Sequence, residues 1–205
     1  DLFDRAAYKE NSRFQAMLAR PAGGPSVFSI HAELGQLMTK YATVIRHNAD
    51  LAQAYERVSE LQEEAEACSL SDTNQWANQE VFFARALEDM FPLAKIILKG
   101  ALARDECRGA HYKPEFAFPE ITATDPIDRR RQAVEWCEHF EENNRKWLKT
   151  TVATLDAEGE PRLTYEAVDT SLLAPRPRLY GILGGEIIEE VWKEREAAKQ
   201  LAGSR

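Results

Sequence analysis

Residues 48–68, NADLAQAYERVSELQEEAEAC, decide the fold class. Apolar side chains recur in this stretch at close to every 3.5 residues, at Leu51, Ala54, Val58, Leu61, Ala65 and Cys68. A stripe with that period lies on one face of an α-helix and packs along a neighbouring helix. The stretch therefore predicts a helix inside a bundle, with Asn48 as the residue that caps its start.

Helical patterns continue on both sides of this stretch. Upstream, residues 3–20 read as a polar helix that ends at the turn 21–25, and Ser26 caps a helix with the apolar stripe Val27, Ile30, Leu34, Leu37, Tyr41 and Val44. Downstream, Ser71 or Asp72 starts a helix with the stripe Trp76, Phe83, Leu87, Met90, Ala94, Ile97 and Ala101. Pro92 lies inside it and predicts a kink or a break. Three amphipathic helices with short connections predict an antiparallel bundle over residues 26–104.

The pattern changes after residue 104. Pro114 and Pro119 make residues 105–125 extended or looped, and Asp125-Pro126 opens a charged helix that runs to about Lys149. Residues 150–155 and 162–168 read as the strands of a hairpin, and residues 186–201 as a final helix. The sequence thus predicts a mainly α fold: a three-helix antiparallel bundle, then an extended loop, an inserted helix, a small β-hairpin and a C-terminal helix over 105–205.

Composition narrows the classes of function. The 205 residues include 26 Lys+Arg and 34 Asp+Glu, a formal net charge of −8, which disfavours nucleic-acid binding. No apolar run approaches the ~18 residues that a membrane span needs. The chain starts at Asp1, inside a helical pattern and without a signal peptide. Processing or the choice of the expressed segment explains such a start, and a fragment of a longer polypeptide explains it equally well. Three widely spaced cysteines predict reduced thiols in a cytoplasmic setting.

Motifs for self-sufficient chemistry are missing from the sequence. It has no G-x-G-x-x-G, P-loop, G-x-S-x-G or H-E-x-x-H pattern. Cys107 and His111 are four residues apart, but a metal would need two further ligands, so they are interpreted as ordinary loop residues. We therefore expect no catalytic residue, no cofactor site and no metal site within these residues.

One segment and three later motifs resemble a known family. Residues 108–112 read Arg-Gly-Ala-His-Tyr, residues 147–151 Trp-Leu-Lys-Thr-Thr, residues 165–172 Tyr-Glu-Ala-Val-Asp-Thr-Ser-Leu, and residues 175–180 Pro-Arg-Pro-Arg-Leu-Tyr. In this order they are similar to the C-terminal domain of succinate dehydrogenase and fumarate reductase flavoprotein subunits, over roughly residues 3–180. The insertion 121–144, Pro92 and the helix after residue 184 depart from the family pattern. L-aspartate oxidase shares the architecture, but Ala110 stands where those enzymes carry leucine.

The resemblance implies a supporting role for the chain. In the family, an FAD-binding domain holds the flavin, and a capping domain closes over the dicarboxylate substrate. Hydride moves between the substrate and the flavin, and electrons then pass to an iron–sulfur subunit. The substrate-binding residues lie upstream, and none maps onto this chain. Residues 1–25 are then a linker helix from the absent flavin domain, which the bundle braces. The parent complex is expected to lie peripherally on the cytoplasmic face of the membrane and to reach its membrane anchor only indirectly.

Six residues are the candidates for contacts with the absent domains: Arg108, Gly109, His111, Tyr112, Trp147 and Tyr165. A guanidinium binds carboxylates in fixed geometry, and glycine allows close approach of backbone. An equally weighted interpretation is that Arg108 and His111 only cap a helix end. For Trp147 and Tyr165, packing is favoured over ligand stacking. A separate hypothesis makes the chain a free-standing interaction module that docks through the strip 187–192 of the last helix.

Overall fold

A computed structural model describes residues 1–203 and is mainly α-helical, as the sequence predicts. The helices are α1 (Leu2–Leu18), α2 (Val27–Tyr41), α3 (Asn48–Glu66), α4 (Gln79–Ala103), α5 (Pro126–Trp147) and α6 (Gly185–Gly203), with a short 3-10 helix at Pro114–Phe116. The strands β1 (Lys149–Leu155) and β2 (Pro161–Ala167) form a two-stranded sheet. The chain divides into two compact units: residues 1–105 with 153–163, and residues 106–152 with those from 164 onward.

Helix α3 forms the centre of the first unit, between α2 and α4. All six residues of its predicted stripe are buried, which confirms the interpretation of the 3.5-residue period. The core of this unit is aliphatic and rich in alanine. Asn48 is the first residue of α3 and not its cap, which is His47. Val44 is exposed, because α2 already ends at Tyr41.

Helix α4 starts later than the sequence predicted. It begins at Gln79 with Asn78 as its cap, so Ser71 and Asp72 do not start it, and Trp76 is 87% exposed. Polar side chains fold residues 71–78 back on themselves: the Glu80 carboxylate accepts from the backbone N–H groups of Ser71 (2.8 Å) and Asp72 (2.9 Å). Such local bonds compete with helix formation and displace the start of the helix.

Pro92 does not break α4, which continues over 25 residues to Ala103, so of the expected kink or break the break is wrong. Proline removes one backbone hydrogen bond, but Phe91, Ala94 and Leu98 beside it are buried, and their burial outweighs that loss. The predicted stripe was also partly wrong, because Met90 and Ile97 lie on the exposed side of the helix. The residues that the prediction missed on the buried side are Val81, Ala84, Phe91, Lys95 and Leu98.

Helix α1 is held against the bundle by one buried residue and an ion-pair network. Met17 is buried in the common core. The Glu88 carboxylate of α4 forms ion pairs with the guanidinium groups of Arg13 (2.5 Å) and Arg20 (2.9 Å). Arg20 also donates to the backbone oxygen of Ala65 at the end of α3 (3.1 Å). Helix α1 therefore packs as a member of the first unit.

The hairpin falls within one residue of its predicted bounds. Its turn is shaped by Asp156, whose carboxylate accepts from the backbone N–H of Glu160 at 2.8 Å. The tip, residues 153–163, belongs to the first unit. There the Glu160 carboxylate accepts from Lys95 Nζ and from the Tyr55 hydroxyl, both at 2.6 Å, and Lys99 Nζ donates to the Pro161 carbonyl at 2.6 Å.

The second unit is organised by α5 and α6. Asp125 caps α5 as predicted and accepts from the backbone N–H groups of Ile127 and Asp128. Ile188, Val191 and Trp192 of α6 are buried with Trp136 of α5. The hypothesis of a docking strip at 187–192 is therefore wrong, because this unit's own core already covers the strip. No helix among residues 1–203 is long and apolar enough to cross a membrane.

Candidate functional site

The Arg108–His111 segment forms a tight turn. Arg108 and His111 pair through two backbone hydrogen bonds, from Arg108 N to His111 O (2.9 Å) and from His111 N to Arg108 O (3.0 Å). Gly109, at the exposed tip, has φ +60°, a conformation that side chains with a Cβ rarely adopt. The glycine predicted for close backbone approach therefore lies, with Ala110, at the exposed tip of the turn.

A buried carboxylate fixes the arginine of this turn. The side chain of Glu106 is fully buried and accepts from Arg108 Nε at 2.9 Å and from the Asn143 amide at 3.1 Å. Arg108 Nη2 also donates to Asn144 Oδ1 at 3.0 Å. The guanidinium thus contacts the loop and α5. Its planar fork is held in one orientation, with about a third of the side chain left exposed.

Four of the six candidate residues line one cavity in the second unit, with a volume of about 680 Å³. They are Arg108, Gly109, His111 and Tyr112. The aromatic side of the cavity consists of Phe118, Trp136 and Phe140, and its other polar residues include Asn143, Arg176 and Arg178. None of the described residues that line this cavity carries a carboxylate, although the chain as a whole is acidic. The Arg176 guanidinium forms ion pairs with Glu189 (3.5 Å) and Glu196 (3.4 Å) of α6.

The other two candidates, Trp147 and Tyr165, lie outside this cavity, at the base of the hairpin. Trp147 is buried, and Tyr165 remains 41% exposed. Lys149 Nζ lies 4.0 Å from the centre of the Tyr165 ring and 5.2 Å from that of Trp147, within reach of a cation–π contact with both. These residues form a separate packed corner of the second unit, so the six candidates do not make one site.

Several residues of the site were not found from the sequence. Glu106, Lys113, Asn143 and Asn144 all lie at or beside the turn, and both Glu106 and Lys113 are buried charged residues. The adjacent asparagines were the available signal, since asparagine is disfavoured inside helices unless its side chain has a specific partner. Asn143 donates to Glu106, 37 residues away, and Asn144 accepts from Arg108, 36 residues away, and no local pattern reveals either pairing.

The chemistry available at this site is recognition. Burial raises the pKa of the Cys107 thiol, which keeps it protonated and a poor nucleophile at neutral pH. Within residues 1–203 no group of three or more His, Cys, Asp or Glu side chains is placed to hold a metal. The one sheet in that range is an antiparallel hairpin, whereas a dinucleotide fold needs a parallel strand–turn–helix with a glycine-rich turn. Residues 1–203 therefore do not form a dinucleotide-binding unit of that kind.

Fold and site together define a class: an α-helical domain with a cavity lined by charged and aromatic residues. The family model described as "Fumarate reductase flavoprotein C-term" matches residues 31–180, and the chain belongs to that family. It is the C-terminal domain found in succinate dehydrogenase and fumarate reductase flavoproteins, which confirms the resemblance drawn from the four motifs.

Relatives and solved structures agree with this assignment. The chain is 34% identical over 87% of its length to the succinate dehydrogenase flavoprotein subunit of Bacillus subtilis, covering 27% of that protein. It is 25% identical over 88% of its length to the fumarate reductase flavoprotein subunit of Haemophilus influenzae, covering 26%. A solved chain of E. coli quinol fumarate reductase superposes with a TM-score of 0.67 at 25% identity, over 87% of this chain and 27% of that one. The chain thus spans about a quarter of the length of these relatives.

Proposed function

We propose that this chain is the C-terminal helical part of a flavoprotein subunit that interconverts succinate and fumarate and passes electrons to an iron–sulfur subunit. It braces the FAD-binding and capping domains of the same polypeptide and is not catalytic alone. The family match over residues 31–180 carries the proposal. The names of the relatives, succinate dehydrogenase and fumarate reductase flavoprotein subunits, supply the reaction.

The supporting role proposed for this chain follows from the groups that its described residues present. Flavin supplies the redox chemistry in such subunits, and the protein around it supplies binding, orientation and the exclusion of water. The turn at 108–111 offers a rigid guanidinium, an exposed glycine backbone and Tyr112 beside an aromatic cavity. Those groups suit contact with another protein surface. We assign Arg108, Gly109, His111 and Tyr112 to contacts with the rest of the subunit, and Trp147 and Tyr165 to packing at the hairpin base.

The complex would be peripheral on the cytoplasmic face of the membrane. A membrane-anchor subunit would hold the assembly there through the iron–sulfur subunit, so the chain described here needs no membrane contact of its own. The free-standing interaction module is no longer favoured, because the strip that it required is buried. A related flavoprotein such as L-aspartate oxidase stays the alternative parent, and Ala110 disfavours it.

The test compares the full-length subunit with residues 1–205 alone. The full-length protein is expected to show a bound-flavin absorbance band that bleaches when succinate is added, and to reduce a dye with succinate as donor. Residues 1–205 should show neither. A full-length protein whose flavin responds to L-aspartate and not to succinate would overturn the proposal in favour of the alternative. In the assembled complex, succinate should also generate the electron paramagnetic resonance signal of a reduced iron–sulfur centre.

A further inference from the structure

Helix α4 carries two apolar faces. One is buried in the bundle core and includes Leu87, Phe91, Ala94 and Leu98. The other holds Met90, Leu93 and Ile97, which are 36%, 60% and 48% exposed. Their spacing of three and four residues places them in a single stripe along the helix. A helix that is apolar on opposite sides is typical of one surrounded by protein, so the exposed stripe calls for a partner.

This stripe forms one wall of a groove between α2 and α4, which we name the α2–α4 groove. Its volume is about 290 Å³, and its exposed surface is almost entirely apolar. It is lined by His31, Leu34, Gly35 and Met38 of α2 and by Met90, Leu93, Ala94 and Ile97 of α4. Apart from Gly35, its chain neighbours and the adjacent backbone of α2, no heavy atom among the described residues lies within 4 Å of the point where a Cβ on Gly35 would stand, which leaves room for the backbone of a partner to approach.

We infer that the α2–α4 groove is the surface by which the bundle docks on the FAD-binding part of the same polypeptide. The inference rests on the proposed function and adds which face of the bundle makes the contact. The matched relatives are about four times as long as the aligned region, so most of a subunit of that length lies outside these 205 residues. In the proposed subunit, that remainder would supply a partner on the same polypeptide as the groove.

The chemistry of the groove selects this kind of partner. Among the described residues that line it, only His31 is titratable, and it packs edge-on against Phe83 with ring centres 4.9 Å apart. A groove without charged residues offers nothing to a phosphate or carboxylate ligand, and it gains free energy by removing apolar surface from water. An apolar helix or strand of the flavin-binding part satisfies that requirement.

The deciding experiment is Ile97→Lys in the full-length subunit, with Ile127→Lys as its matched control. Both isoleucines are exposed in this chain, Ile127 to 80%, but Ile127 lies on α5 in the second unit. A lysine at position 97 would place an unpaired charge in an apolar interface. We expect Ile97→Lys to reduce flavin retained per subunit several-fold and to lower the temperature of flavin release. Ile127→Lys should leave both at the wild-type value.

Each outcome distinguishes this inference from the proposed function. If the wild-type subunit binds flavin and oxidises succinate while Ile97→Lys behaves like wild type, the docking surface is wrong and the function stands. If the wild-type subunit binds no flavin, the function itself fails. Dimerisation of residues 1–205 that Ile97→Lys abolishes, with flavin retention unchanged in the full-length variant, would assign the groove to a second copy and overturn the inference. Unfolding of residues 1–205 should be unaffected by Ile97→Lys, which excludes a simple folding defect.

Discussion

The two units of this chain are stabilised by different kinds of core. The first packs leucine, valine and alanine from regular helical stripes, with few aromatic residues at its centre. The second joins α5 and α6 through Trp136 and Trp192, with Phe118 and Phe140 packed beside them. Exposed ion pairs such as Arg130–Glu194 also connect these two helices. An aliphatic core follows from periodicity, whereas an aromatic core depends on a few large rings. Single truncations should therefore act differently in the two.

The largest effect is expected from Trp136→Ala. The Trp136 ring stacks on Phe140 with centres 5.8 Å apart and contacts Phe118 at 4.9 Å, so its removal leaves a large void. We expect a loss of about 3–5 kcal/mol in the free energy of unfolding. Urea titration followed by circular dichroism measures it. Trp76→Ala is the matched control: Trp76 is exposed in the first unit, and its loss should change stability by less than about 0.5 kcal/mol.

The next largest effect is expected for a buried leucine of α4, compared with an exposed leucine of the same helix. Leu98→Ala removes a fully buried side chain of α4 and should lower the free energy of unfolding by about 2–5 kcal/mol. Leu93→Ala makes the same substitution five residues earlier on the exposed face and should shift it by no more than about 0.5 kcal/mol. Thermal unfolding of the two variants side by side is sufficient. Equal losses would mean that α4 does not have the two distinct faces described here.

A smaller effect is expected at the turn of the second unit. Arg108→Ala removes the guanidinium from the fully buried Glu106 carboxylate and should reduce the free energy of unfolding by about 1–3 kcal/mol. Arg178→Ala removes an arginine that lines the same cavity and should leave stability unchanged. In the full-length subunit, Arg108→Ala should also reduce flavin retention. If Arg108→Ala kept wild-type stability and flavin content, Arg108 would have no role at the candidate site.

The smallest effects concern one carboxylate in each unit. A hydrogen bond from Lys95, assisted by Tyr55, lowers the pKa of Glu160, and one from Arg195 lowers that of Glu141. A lowered folded-state pKa contributes stability that is present above the unfolded value, about 4.3, and is lost as the pH falls through the folded value. Each is expected to contribute less than about 1 kcal/mol, and Glu160 the less because 43% of its side chain is exposed, against 17% for Glu141.

Unfolding of Glu160→Gln and Glu141→Gln, measured between neutral pH and pH 3, checks this prediction. Each variant should be less stable than the wild type at neutral pH and should approach it in acid, where the native carboxylate is protonated. A difference that stays constant over that range would show that the carboxylate charge is not responsible. A larger effect for Glu160→Gln would reverse the expected order of the two units.

How well the sequence predicts the packing of a helix here depends on whether that helix has one apolar face or two. Helix α3 has one apolar face, so its stripe was predicted completely, and the hairpin followed from the turn between its strands. Helix α4 has two apolar faces, and a period of 3.6 residues cannot tell which one packs within the chain. The motifs at 108–112 located the candidate site, but its fixing partners Glu106, Asn143 and Asn144 come together only in three dimensions.

The contact of Glu160 with Lys95 and Tyr55 has a consequence for the order of folding. Its hydrogen bonds span 65 and 105 residues of chain, so the bundle reaches its final form only after the second unit's inserted helix has been synthesised. Closing loops of that length is slow compared with forming local helices. A nascent chain that has reached only Asp105 would expose Lys95 without its carboxylate. Deletions meant to isolate the bundle should therefore carry the hairpin tip on a short tether.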